Sequence, residues 1–343
     1  MSVGKPVVEG SIGFAVIGAG RMGKLHARHL AGAVDGAHLV RVVDADGAAA
    51  ARAAYGGAES GTDLAAALAD PAVRAVVIAS PTTLHAEHLM AAARAGKAIF
   101  CEKPVAQDLE STAAALAVVA EAGVPFQIGF NRRYDPGYAE VARSVHAGEL
   151  GRVEMFRSQS SDPTPPPEEY VATSGGIYVD SVIHDIDMAR FVAGEVTRVT
   201  ALGRVLVAPY LEKHGDVDTS ILTLEFASGA IGVLQNTRRT LYGYDLRVEV
   251  HCERGKVVSE AERATNVWRY GEGGIRGDYV YYFLERFRDA YLVEVQAFVS
   301  AVLAGERPTP GPEDAIGSLR VAVAARASLQ RGEPVAVSEF GPG

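Results

Sequence analysis

Ile12-Gly13-Phe14-Ala15-Val16-Ile17 runs directly into Gly18-Ala19-Gly20-Arg21-Met22-Gly23, and this junction decides the fold. The first stretch is a short apolar run of strand character. The second has the spacing G-x-G-x-x-G, and the helix-forming stretch Lys24–Ala33 follows it. Between a strand and a helix each glycine has its own task. The first allows the tight turn, the second lets backbone approach a pyrophosphate, and the third lets helix and strand pack closely. The helix N-terminus then faces the negative charge. Glycine clusters are often plain turns, so the flanking residues carry the argument. Asp44 ends the next apolar run, Leu39–Val43, 21 residues after Gly23. A carboxylate there bonds a ribose 2′-hydroxyl and repels a 2′-phosphate. Ala45 follows, with no arginine in the next few positions. NAD is therefore the expected cofactor, with Gly18, Gly20, Arg21, Met22, Gly23 and Asp44 at its site. The plainer alternative for Asp44 is a solvated strand end.

Outward from this junction the first 130 residues alternate. Apolar runs at Ala75–Ala79, Ala98–Cys101 and Phe126–Ile128 are separated by Ala/Leu-rich stretches at Ala48–Ala54, Leu64–Ala69, His85–Ala95 and Leu109–Glu121. Such alternation predicts a parallel sheet covered by helices on both faces. Ligands of open parallel sheets bind beyond the carboxyl ends of the strands. Three segments stand there: Ser80-Pro81-Thr82-Thr83, Glu102-Lys103-Pro104 and Gly129-Phe130-Asn131-Arg132-Arg133. A lysine at the tip of a buried strand is unusual, although a surface lysine beside a proline turn would look the same.

Past Gly129 the pattern changes to two-residue alternation. Leu222, Leu224 and Phe226 interleave with Ile221, Thr223 and Glu225, and Ala227-Ser228-Gly229 turns into Ala230–Gln235. This predicts antiparallel hairpins. The Thr223/Glu225 face is only partly polar, which suits cover by a partner subunit. Glu294–Val302 and Glu313–Ala325 read as closing helices. The expected division is a dinucleotide-binding domain over 1–130 and a second α/β domain over 131–343, its last helices packing back on the first.

Composition narrows the function. The chain has 343 residues, 33 Lys+Arg against 42 Asp+Glu and a net charge of −9. An acidic chain without a long basic run is a poor nucleic-acid partner. No apolar stretch reaches the roughly 18 residues of a spanning helix, so no membrane partner is expected. Two cysteines, Cys101 and Cys252, form neither a disulfide framework nor a four-cysteine zinc site. With no signal peptide read at the N-terminus, a cytoplasmic location is expected.

Asp180-Ser181-Val182-Ile183-His184 is the second constellation. On one helix this spacing stacks Asp180 and His184 on one face. A histidine backed by a carboxylate can take the proton that leaves when a secondary alcohol is oxidised. An ammonium such as Lys103 can hold the hydroxyl and its developing charge. Taken alone, the pair better suits a helix capped by Asp180 with His184 as a satisfied core residue. His184, Asp185 and Asp187, and the pairs His26/His29 and His85/His88, are ligand types without a convergent spacing. No metal is expected.

Together, Gly18–Gly23, Glu102-Lys103-Pro104 and the later Asp180…His184 resemble the Gfo/Idh/MocA oxidoreductase family, over essentially the whole chain. Further stretches are similar to its bacterial inositol 2-dehydrogenase branch. They are Gly129–Asp135, Asp162–Pro167, Ser174–Ile177 and Arg238–Arg247, the last containing Tyr242-Gly243-Tyr244-Asp245. The resemblance implies an N-terminal Rossmann domain and a C-terminal α/β domain with a large, mostly antiparallel, open-faced sheet. It implies NAD-dependent oxidation of a CH–OH group, myo-inositol to 2-keto-myo-inositol (scyllo-inosose), by catalytic Lys103, Asp180 and His184. Ser80, Pro81, Thr82, His85, Glu102 and Lys103 would line the cofactor. Arg132, Asp162 and Tyr244 would join Lys103, Asp180 and His184 at the polyol. Subunits would pair through the open sheet into a homo-oligomer, a dimer or tetramer. Ser161 stands where many relatives carry arginine, and Ser160 where some carry histidine, which leaves another inositol isomer, an aminocyclitol or a pyranose as alternative substrates. A non-enzymatic alternative, an NAD-binding sugar sensor, would not need Lys103, Asp180 and His184.

Replacing the second-strand carboxylate tests the cofactor reading. Asp44→Ser with Ala45→Arg should move preference from NAD toward NADP, because a phosphate-pairing cation replaces a repelling charge. Binding constants for the two dinucleotides decide it; an undiminished preference for NAD would contradict the assignment of Asp44.

Overall fold

In the computed structural model, which describes residues 10–341, strand β1 (Ile12–Ile17) is buried along its whole length. It lies inside a six-stranded parallel sheet with β2 (Ala37–Val43), β3 (Glu59–Gly61), β4 (Ala75–Ile78), β5 (Ala98–Glu102) and β6 (Phe126–Gly129). The strand order is β3-β2-β1-β4-β5-β6. The order reverses at β1, so the crevice of this sheet opens at the end of β1. Between the strands run α1 (Arg21–Leu30), α2 (Gly47–Ala53), α3 (Leu64–Ala69), α4 (His85–Arg94) and α5 (Leu109–Ala122). Asp46, Asp63 and Asp108 cap α2, α3 and α5, each accepting a hydrogen bond from a first-turn N–H. β3 has no counterpart in the sequence-based reading. Its residues are Glu59-Ser60-Gly61, an exposed edge with no apolar periodicity to betray it.

The second unit starts at Arg132. It contains α6 (Pro136–His146), β7 (Val153–Ser161), α7 (Glu168–Ser174), α8 (Ile177–Asp180), α9 (Ile183–Ala193) and β8 (Val196–Arg204). There follow β9 (Thr219–Phe226), β10 (Ile231–Thr237), β11 (Asp245–Cys252), β12 (Gly255–Ser259), the small hairpin β13 (Arg269–Gly271) and β14 (Gly274–Arg276), and α10 (Phe283–Arg286). Its sheet has seven strands in the order β12-β11-β7-β10-β9-β8-β15, where β15 is Val335–Ala336. All neighbours run antiparallel except β7 and β10. Strand β9 alternates buried and exposed residues, burying Leu222, Leu224 and Phe226. Helix α9 packs on β7 and β10. Ile221, Ile231 and Leu202 stand exposed on strands β9, β10 and β8.

Chain tracing shows one return. Tyr291–Gly317, which holds most of α11 (Arg288–Ala304) and the start of α12 (Pro312–Arg331), belongs to the first unit. Val295, Phe298 and Val299 share a core with Ile12, Phe14, Val16, Val77 and Phe100. The Phe298 ring meets Phe14 and Phe100 edge-on at 6.1 and 5.9 Å. Among the described residues, no helix is long and apolar enough to cross a membrane.

The tightest point of the first unit is the start of α1. A Cβ on Gly23 would lie 1.8 Å from the Gly18 carbonyl oxygen, and one on Gly18 would lie 2.5 Å from the Ser80 nitrogen. Gly18 also has φ +97°, which favours glycine. Gly23→Ala should therefore displace α1 and lower stability by about 1–3 kcal/mol or more. Chemical denaturation should show a lower midpoint; a midpoint equal to wild type would contradict this packing.

Candidate active site

The turn after β1 has the form that an anionic ligand needs. Gly20 is exposed, and a Cβ on it would meet nothing within 4 Å. Gly20 caps α1, whose first turn contains no acidic residue. The first N–H groups of a helix have no intrahelical partner, so they favour an anion. The crest of the loop is thus open, while Gly18 and Gly23 close its base. A pyrophosphate fits this cradle. Asp44 sits half-buried beside it. Its Oδ2 accepts the Ala19 N–H at 2.6 Å and its Oδ1 accepts the Asp46 N–H at 2.8 Å. The carboxylate therefore holds the glycine turn as well as marking the end of β2.

Two further strand ends of the first unit meet at one side chain. His85 is buried at the start of α4. Its Nδ1 is 2.8 Å from the Pro104 carbonyl and its Nε2 is 2.8 Å from the Ser80 carbonyl. Burial lowers its pKa, against the pull of those two carbonyls. His85 thus lies between the Ser80-Pro81-Thr82 turn and the Glu102-Lys103-Pro104 segment, where its neutral ring can donate its one N–H to either carbonyl. Pro81 is exposed and Thr82 half-buried; Ser80 Oγ is 2.9 Å from His88 Nδ1. Lys103 follows the last residue of β5 and is half-buried. Glu102 is buried, with Oε1 2.7 Å from His26 Nε2. Cys101 is fully buried in β5, where burial pushes its thiol pKa well up. It fills space in the strand.

In the second unit the structure corrects the single-helix expectation for Asp180 and His184. Asp180 ends α8 and His184 lies in the first turn of α9. Val182 N–H bonds the Ile177 carbonyl at 2.9 Å, one residue beyond the α-helical pattern, and the next helix restarts with Ile186 N–H on Val182 O. The α-helical ladder does not run from one to the other. Nor is Asp180 an N-cap. Its Oδ1 accepts the Tyr170 hydroxyl at 2.7 Å, and its Oδ2 faces Arg238 Nη2 at 3.3 Å. Arg238 reaches Asp162 Oδ2 with its other nitrogen, at 3.1 Å. One buried guanidinium therefore joins two carboxylates that the sequence separates by 18 positions. Burial raises the pKa of Asp162, opposed mainly by Arg238. His184 is half-buried. Tyr244 is buried with its ring edge-on to Phe287 at 6.4 Å, and burial raises its hydroxyl pKa.

Arg132 is turned into the second unit. Its Nη1 bonds Asp185 at 2.7 Å and Ser160 at 3.1 Å. Asp185 also accepts from Ser158, from Ser160 at 2.7 Å and from Asn236 at 3.2 Å. Arg133 forks onto Asp187 at 2.6 and 2.8 Å. The two aspartates that follow His184 are thus bound by arginines. Ser160, singled out as a departure, belongs to the Asp185 network, and Ser161 is buried beside it. Sequence reasoning missed Arg238 and Tyr170 as partners of Asp180. An arginine in β-rich sequence has no periodicity of its own, and only the paired strands β7 and β10 bring residues 162 and 238 together.

A phosphate cradle at the switch point of a parallel sheet marks the first unit as a dinucleotide-binding domain. Residues 12–130 match the oxidoreductase family with NAD-binding Rossmann fold, and residues 138–258 match the GFO/IDH/MocA C-terminal domain. The chain belongs to the GFO/IDH/MocA family of NAD-dependent oxidoreductases. It is similar to the myo-inositol 2-dehydrogenase of Thermotoga maritima, with 40% identity over 94% of this chain and 98% of that protein. It is equally similar to the inositol 2-dehydrogenase of Rhizobium meliloti, 40% identical over 96% of this chain and 100% of that one. Among solved structures it resembles the scyllo-inositol dehydrogenase of Lactobacillus casei with bound NAD(H) and scyllo-inositol. There the TM-score is 0.89 and the identity 30%, over 96% of this chain and 99% of that one.

The Arg238 clamp makes a measurable demand. Arg238→Met removes the guanidinium shared by the half-buried Asp162 and the buried Asp180, at a cost of about 3–5 kcal/mol near neutral pH. Without that guanidinium the two carboxylates have raised folded pKa values, so the loss should shrink as the pH falls and they protonate. Thermal melts at pH 5 and pH 8 check the sign; equal losses at both would contradict the clamp.

Proposed function

We propose that this protein oxidises a secondary hydroxyl of a cyclitol, myo-inositol to 2-keto-myo-inositol, with transfer of hydride to NAD. What carries the reading is that the relatives named for inositol oxidation align with nearly the entire chain, and this chain has Lys103, Asp180 and His184 in the segments that carry the family resemblance. Bound NAD would supply the hydride acceptor, held by Gly18–Gly23 with Asp44 at the ribose and Pro81 and Thr82 at the nicotinamide side. The chain's own residues then divide the remaining work. Lys103 holds the reacting hydroxyl through its ammonium and stabilises negative charge on that oxygen. His184 takes the hydroxyl proton on its imidazole. Asp180 binds substrate hydroxyls, and Arg238 and Tyr170 fix its two oxygens in place. Asp162 and Tyr244 complete the polyol contacts, and Arg132 supports them through Asp185 and Ser160.

The proposal extends to assembly and location. The exposed Leu202, Ile221 and Ile231 of the seven-stranded sheet suit burial against a second copy, as a dimer or tetramer. A cytoplasmic place fits two buried free cysteines.

A spectrophotometric assay decides. Purified protein with NAD and myo- or scyllo-inositol should produce NADH, with glucose and galactose as comparisons. Lys103→Ala should lose about 10²–10³-fold in rate while still binding NAD. His184→Ala should lose about 10²–10⁴-fold near neutral pH and less in alkaline buffer, where hydroxide supplies the base. NADH from glucose but from no inositol would shift the substrate class, and full activity in Lys103→Ala would remove its role.

A further inference from the structure

Three side chains in the interior of the first unit take no part in the steps above. They are His26 on α1, Glu102 at the end of β5 and Glu294 on α11. One ligand-type atom from each lies within 4.8 Å of the other two. His26 Nε2 and Glu102 Oε1 are 2.7 Å apart, a charge-assisted hydrogen bond. Glu294 is fully buried, and neither of its oxygens has a hydrogen-bond partner. Gln127 donates to the Glu294 main-chain carbonyl at 3.2 Å, not to its carboxyl group. Around the cluster are rings: Phe100 and Tyr291 stand edge-on to His26 at 5.4 and 6.3 Å.

The titratable neighbours are few. Across from Glu294, β5 presents Glu102 and α1 presents His26. Further out on α1 is His29, which burial, then the charges of His26 and Arg28, holds at about 4, and it brings no cation. His85 interacts electrostatically with Glu102 and with Lys103. Two ionised carboxylates this close in an apolar interior, with one imidazole between them, are not tolerated; one keeps its proton. The contacts say which. Glu102 has the imidazole, and Glu294 has no donor. Burial, reinforced by the charge of Glu102, accordingly pushes the Glu294 carboxyl well above its ordinary range. A shared metal ion fits less well. Two ligand atoms about 2.0 Å from a tetrahedral ion stand roughly 3.3 Å apart, wider than the His26–Glu102 contact.

We propose that Glu294 remains a neutral acid in the folded protein and that His26 is a positioning residue, holding Glu102 as the single negative charge of the cluster and so fixing the strand tip that carries Lys103. The part concerning Lys103 rests on the dehydrogenase reading above; the protonation of Glu294 does not.

Thermal unfolding of wild type and Glu294→Gln from pH 5 to 9, with and without EDTA, tests the neutral acid. A folded pKa above the unfolded one gives stability that is full below the ordinary carboxyl value of about 4.3 and is lost as pH rises through the folded value. Glutamine has no proton to lose. The variant should therefore gain on wild type in melting temperature as the pH rises, and EDTA should change neither. A gap independent of pH, or one that increasingly favours wild type, overturns the proposal; so does EDTA lowering the wild-type melting temperature alone. For the positioning role, His26→Gln places an amide where Nε2 stands, whereas His26→Leu removes the donor. The glutamine variant should keep a kcat at least about tenfold above the leucine variant, since small displacements of catalytic groups cost one to two orders of magnitude. Equal kcat values overturn the role of His26. If His26→Leu does not fold, His26→Gln against wild type takes its place, with loss of all turnover as the overturning result. Should wild type oxidise no polyol at all, the functional reading fails while the melting series still decides the state of Glu294.

Discussion

The close approach of α1 to the tip of β1 is the constraint on which most of the first unit depends. Gly23 lies so near the Gly18 carbonyl that no side chain fits between them. That contact sets where α1 begins, so it sets where the unpaired N–H groups of its first turn lie. It also sets the depth at which the rest of the helix enters the interior. His26, three residues beyond Gly23, reaches Glu102 only because the helix is that close. One steric fact therefore governs both the cradle at the surface and the carboxylate cluster beneath it.

Charge is managed differently in the second unit. Asp162 and Asp180 share Arg238, Asp185 is bound by Arg132 and Asp187 by Arg133. Removing a buried charge's partner is far more damaging than replacing the whole pair with apolar groups. These pairs consequently read as devices for orientation: each fixes a carboxylate or guanidinium in one rotamer. Asp180 is held from two sides, by a hydroxyl and a guanidinium, and has little freedom to turn. A rigid acceptor is what recognition of one ring hydroxyl among several requires.

Legibility in the sequence followed physical range. The strands β1, β2, β4, β5 and β6 and the five helices between them were visible because apolar period and Ala/Leu content are local properties. Glu59-Ser60-Gly61 was not, since an exposed edge strand needs no apolar residues. The alternation around Leu222 and Leu224 revealed a sheet, but it could not reveal that β7 and β10 run parallel. Lys103, Asp180 and His184 could be singled out by motif. The break between α8 and α9 could not, because nothing in Ser181-Val182 forbids a continuous helix. The pairing of Arg238 with Asp180 and the closeness of His26 to Glu294 span 58 and 268 positions, and they exist only once the chain has folded.

The return of Tyr291–Gly317 to the first unit bears on the order of events during synthesis. When Asn131 has been made, all six strands of the parallel sheet exist, yet Phe14 and Phe100 still lack the ring of Phe298. The nucleotide-binding half, first in sequence, is therefore not complete until Tyr291–Gly317 has been made. The second unit's seven-stranded sheet is almost wholly translated before α11 appears to close that core. A nascent chain stalled between residues 131 and 290 carries an apolar face in the open, the kind of surface that chaperones hold and that aggregation exploits.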